Sequence, residues 1–137
     1  LEFPDVEVLD GTGRLFWTGA TELGMRRAVA RDAEFVFWLN DDCEPEPGAL
    51  AGLLTVSRAR NAVAGGVSVL PRSGQPVYAG FRKGRRELEF VSASPGEVSA
   101  CDALNGSLVC VPRAVIDAGP DWTIDAIAEL PAVLGIE

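Results

Sequence analysis

The stretch "FVFWLNDDCEPEP", residues 35–47, runs apolar for five residues and then breaks into two adjacent acids, Asp41 and Asp42. Successive apolar residues over strand length predict a strand covered on both faces, as in a parallel sheet. In open α/β sheets, ligands sit outside the carboxyl ends of such strands, which is where Asn40, Asp41 and Asp42 fall. Neighbouring carboxylates repel each other, and a divalent cation relieves that repulsion. Mg²⁺ and Mn²⁺ suit carboxylate oxygens and complete their shells with phosphates and water. The plainer use of the same residues is a turn that caps the helix expected from Pro47 onward.

The flanking elements alternate. "VEVL" reads as a short strand before the turn "DGTG", and "LFW" as an extended piece. "TGATELGMRRAVARDA" reads as a helix capped by Thr18 or Thr21, with Leu23, Ala28 and Val29 inward. "EPGALAGLLTVSRAR" is a second helix with Leu50, Leu53 and Leu54 inward, and "AVAGGVSVL" is the next strand. "PVYAGFRKGRRELEFVSAS" predicts two extended segments around a basic Gly turn. "CDALNGSLVCVPRAVIDAG" predicts loop, buried strand and short helix. This order indicates an α/β fold with a mainly parallel sheet flanked by helices, residues 1–137 forming one domain.

Composition narrows the chemistry. A net charge of −8 argues against non-specific nucleic-acid binding. With no histidine, a Ser-His-Asp triad, a Cys-His pair and a His general base are excluded, and three cysteines with no C-x-x-C pair argue against a structural zinc site. Acid-base chemistry therefore falls to carboxylates. Cys110 reads as a buried small hydrophobe. The basic turn around Arg82–Arg86, with Arg72 upstream, reads as a solvated turn or a seat for an anionic acceptor or membrane leaflet. The acidic N-terminus lacks the pattern of a signal peptide, which predicts a cytoplasmic chain, at the inner membrane face if its acceptor is lipid-linked.

"LFWTGATELGMRRAV", "FVFWLNDDCEPEPGALAGLL" and "CDALNGSLVCVPRAVIDAG" together resemble family 2 glycosyltransferases of GT-A fold, most closely the rhamnosyltransferase-like branch. There a Trp-Thr-Gly-Gly segment, a Leu-Asn-Asp-Asp strand end and an Asn-Gly element followed by Val/Ile-Pro-Arg occur in the same order. The resemblance covers roughly residues 5–121. It implies that Asp42, with Asp41, binds Mn²⁺ or Mg²⁺ on the diphosphate of a dTDP- or UDP-sugar donor. It further implies donor contacts from Trp17, Thr18, Gly19, Asn40, Asp41, Asn105 and Gly106. The expected reaction is inverting transfer to a cell-surface glycan or lipid-linked glycan acceptor, with Asp125 the nearest candidate base and Glu129 next.

The departures bear on activity. Ala20 replaces the second Gly, Glu22 stands where a neutral residue is usual and would need Arg26 as partner, and "WTIDAIAELPAVLGIE" replaces the usual acidic motif. A solvent-facing Asp on a short helix is the plainer reading of Asp125. The strand-helix-strand unit that begins such domains is expected to be missing, which would leave open sheet edges and favour homo-oligomers. The rival reading is a catalytically inactive remnant acting as a binding or assembly module. A metal-dependent nucleotidyltransferase on a similar sheet is a third.

Overall fold

A computed structural model describes residues 3–91, 93, 96–104 and 106–118. The elements in chain order are helix α1 (Phe16–Val29), strand β1 (Phe35–Leu39), helix α2 (Ala49–Arg60), strands β2 (Ala64–Gly65), β3 (Ser68–Val69), β4 (Pro76–Tyr78), β5 (Phe81–Lys83), β6 (Leu88–Phe90) and β7 (Leu108–Pro112), and helix α3 (Arg113–Ala118). The chain is thus mixed α/β. Among the described residues no helix is long and apolar enough to cross a membrane.

The main sheet has the order β1-β7-β2. Strand β7 runs antiparallel to both neighbours, from Phe35 opposite Pro112 to Leu39 opposite Leu108 on one side and with Ala64 opposite Cys110 on the other. The mainly parallel sheet expected from the sequence is therefore not what the described residues form, since every strand pairing among them is antiparallel. One part of the expectation survives. Strands β1 and β2, both antiparallel to β7, run parallel to each other and are joined through α2, so the β-α-β order is split by an inserted strand.

That insertion decides where the core lies. As the middle strand, β7 holds Val109, Cys110 and Val111, all at most 2% exposed. Successive buried residues mean cover on both faces, and α2 packs against this strand. Strand β1 pairs on one edge only among the described residues, and Phe35 to Trp38 are half-buried while Leu39 is exposed. The doubly covered strand is thus "LVCVP" rather than "FVFWL". Ser57 of α2 reaches this core, where its hydroxyl donates to the Ala62 carbonyl at 2.8 Å and contacts the Cys110 thiol.

Local expectations divide. Helix α1 starts at Phe16, so neither Thr18 nor Thr21 caps it; Thr21 Oγ1 instead donates back to the Trp17 carbonyl at 2.8 Å. Met25 and Gly19 are its buried residues, whereas Leu23, Ala28 and Val29 are only half-buried. Leu50 of α2 is exposed, not inward. "VEVL" forms no strand: Glu7 is held by Arg27 of α1 at 2.7 Å and by Arg31, in the turn that follows the helix, at 3.0 Å, and Val6 and Val8 face solvent. Glu22 does meet Arg26 at 2.7 Å, one helical turn on. The two extended segments around "RKGRR" are the β5–β6 hairpin, and Cys110 is buried as expected.

Candidate functional site

The apolar run of β1 ends at Leu39, opposite the first residue of β7. The next amide, Asn40 N–H, donates to the Ser107 carbonyl at 3.0 Å, so the pairing continues one residue past the strand. Cys43 N–H then donates to the Asn40 carbonyl at 3.1 Å, closing a turn with Asp41 and Asp42 at its two central positions. Both acids are exposed and, among the described residues, neither is in an ion pair.

The start of α1 comes to this turn. Trp17 Nε1–H donates to Asn40 Oδ1 at 3.0 Å. The indole stands edge-on to Trp38 at 5.8 Å and 88°. Its six-membered ring lies over Gly106, where an added Cβ would overlap ring carbons. Gly106 is therefore glycine for space: the ring occupies the volume of a side chain. Gly19, one turn along α1, is buried, and Thr18 is half-buried.

The structure thus gathers Trp17, Asn40, Asp41, Asp42 and Gly106 from three separate parts of the chain, with Thr18 and Gly19 on the adjoining helical turn. Asn105 and Asp125 lie outside the described residues. Two contributors were not foreseen. The Ser107 carbonyl anchors Asn40, which no side-chain motif could signal. Trp38, expected only as core, braces Trp17, and its own Nε1 is buried with no hydrogen-bond partner among the described residues.

Electrostatics refine the argument for a cation. Because Asp41 and Asp42 face water, their repulsion at solvent dielectric is about 1 kcal/mol or less. Relief of that repulsion is a weak drive, so the acids would need phosphate ligands to share the ion. Among the described residues no group of three or more His, Cys, Asp or Glu side chains gathers to enclose a metal. Two exposed carboxylates alone leave most of a Mg²⁺ or Mn²⁺ shell to be filled by ligand and water.

A separate hollow of about 390 Å³ lies beside α1, lined by Leu9, Gly11, Gly13, Leu15, Phe16, Ala20 and Leu23. None of the gathered polar residues lines it. Size alone does not make it the functional site, and the convergence of polar groups at the β1 turn carries more weight. No family model, curated protein or solved structure matches the chain.

Proposed function

We propose that this chain is a GT-A-type glycosyltransferase domain that transfers a sugar from a nucleotide-diphosphate donor, dTDP- or UDP-linked, to a glycan or lipid-linked glycan. The observation that supports the reading is the convergence of Trp17, Asn40, Asp41, Asp42 and Gly106, which come from the three segments that carry the family resemblance. Asp42 and Asp41 are the residues that would hold Mn²⁺ or Mg²⁺. When bound, the ion supplies Lewis-acid stabilisation of the diphosphate leaving group.

Trp17 orients Asn40, Asn40 fixes the turn that presents the two acids, and Gly106 leaves room for the indole. In inverting transfer, a carboxylate takes the acceptor hydroxyl proton while the oxygen attacks the anomeric carbon and the diphosphate departs. Asp125 is the residue proposed for that proton, and the reaction is assigned to the cytoplasmic side, where nucleotide-sugar donors are made available. Among the described residues β1 and β2 each pair on one edge only, which suits pairing with a second copy that light scattering would read as dimers.

The test is calorimetric titration of dTDP and UDP with Mn²⁺ into the chain and into Asp42→Asn. Metal-dependent binding that is lost in the variant is the expected result. Binding without sugar transfer would favour the inactive binding module. No binding to a folded sample would sink the donor-site reading.

A further inference from the structure

The β5–β6 hairpin reverses the charge of the chain. Residues 81–90 hold four basic and two acidic side chains, a net of +2 in a chain of −8. Cross-strand partners share a face, so Phe81 with Phe90 and Lys83 with Leu88 place three apolar side chains and one cation together, while Arg82 and Glu89 share the other face. Phe81 is buried beneath and touches Phe90 at 4.8 Å between ring centres, yet Phe90 is 71% exposed.

The platform is fastened. Gly84 N–H donates to the Glu87 carbonyl at 2.9 Å and closes the tip, where a Cβ on Gly84 would run into that carbonyl. Arg82 Nε–H donates to the Ala100 carbonyl at 3.1 Å, and Lys83 N–H donates to Asp102 Oδ2 at 2.8 Å. The side chains of Lys83, Arg85 and Arg86 are exposed, and none is in an ion pair among the described residues.

We propose that this hairpin docks on an anionic lipid bilayer, with Phe90 and Leu88 entering the headgroup boundary and Lys83, Arg85 and Arg86 meeting lipid phosphates. An exposed aromatic beside exposed cations matches the layered chemistry of that surface: apolar below, anionic above. Charge complementarity survives the net −8 because screening at physiological salt confines the interaction to roughly 8 Å. Glu87 at the tip reduces the attraction without cancelling three cations. A purely ionic partner would use the cations and leave Phe90 unexplained. The proposal is independent of the donor-site reading, since nucleotide titration and lipid binding succeed or fail separately.

The experiment is co-sedimentation of the full chain with phosphatidylcholine vesicles, with and without phosphatidylglycerol, at low and high salt. Arg85→Ala/Arg86→Ala and Phe90→Ser are run beside it, with circular dichroism to check folding. The expected result is binding to the anionic vesicles only, lost at high salt. Each cation near the surface contributes roughly fivefold, so the double variant should bind on the order of 25-fold more weakly. Phe90→Ser should weaken binding at unchanged salt dependence. Equal partition into both vesicle types, or no binding to either, overturns the proposal. Preference for a soluble acidic polypeptide over the anionic vesicles also overturns it, and assigns the surface to a protein.

Discussion

Trp17 and Asn40, 23 residues apart, are joined by a 3.0 Å hydrogen bond from the indole N–H to the side-chain carbonyl. The same indole covers Gly106, so one side chain ties the first turn of α1 to the ends of β1 and β7. The acids that follow Asn40 sit in the turn closed from Cys43 N–H to the Asn40 carbonyl.

Asn40→Ala separates the two roles, removing the acceptor of the bond and leaving the indole over Gly106. Because the bond is solvent-accessible, the loss of stability should be about 0.5 kcal/mol, at the low end for one hydrogen bond. Gly106→Ala should act more strongly, because the new methyl displaces the ring, at a cost of roughly 1–3 kcal/mol. Urea unfolding followed by tryptophan emission reads both. An unchanged emission spectrum in Gly106→Ala would mean that the indole is not seated there.

How far these relationships were legible in the sequence depends on what the pattern encodes. "FVFWL" and "LVCVP" are both apolar runs of strand length, and periodicity cannot say which lies in the middle of a sheet. The pairing settles it, because β7 has neighbours on both edges and β1 has one. The turn at Asn40–Cys43 and the basic hairpin were legible because Asp, Asn and Gly carry turn preferences in their own chemistry. The start of α1 was misread because Leu15 caps it with no side-chain hydrogen bond, leaving no local signal to find. The Trp17–Asn40 bond is non-local and has no sequence signature at all.

The end of α2 makes a backbone prediction. Asn61 takes φ 46° and ψ 47°, the left-handed conformation that Gly and Asn tolerate best at a helix C-terminus. Asn61→Gly should therefore be neutral or slightly stabilising, while Asn61→Ala should cost about 1 kcal/mol. Thermal melting of the two variants side by side checks this. Equal losses would show that the Asn61 side chain matters and its backbone conformation does not.

Glu7 should give a pH signature. Its carboxyl is held below the ordinary range, first by the hydrogen bond from Arg27 and then by the charges of Arg27 and Arg31, against partial desolvation. A lowered folded-state value means the unfolded state binds the proton more readily as pH falls. The contribution is present above the ordinary glutamate range and is lost as pH drops through the lowered folded value. Glu7→Gln should therefore be less stable than the parent at neutral pH, with the two denaturation midpoints converging in acid. A constant difference down to strongly acidic pH would remove the ion pair from the account.

The three cysteines test burial and the candidate site in one experiment. Burial pushes the thiols of Cys110 and Cys101 up, the latter also through the neighbouring Asp102 charge. Alkylation requires the thiolate, so both should react slowly in the folded chain at neutral pH. Cys110, fully buried in β7, should label only on unfolding. Cys43 closes the turn that presents Asp41 and Asp42, and should label first. A thiol raised on folding favours the folded state below the ordinary thiol range and loses that contribution as pH rises through the raised folded value, so labelling of Cys110 should accelerate in alkali. If the turn binds a nucleotide diphosphate with Mn²⁺, the pair should slow alkylation of Cys43 while leaving Cys101 unchanged. Peptide mass spectrometry resolves the three sites. Protection of Cys43 that persists in Asp42→Asn would show that the nucleotide binds without the acids, and would separate the turn from any role in holding metal.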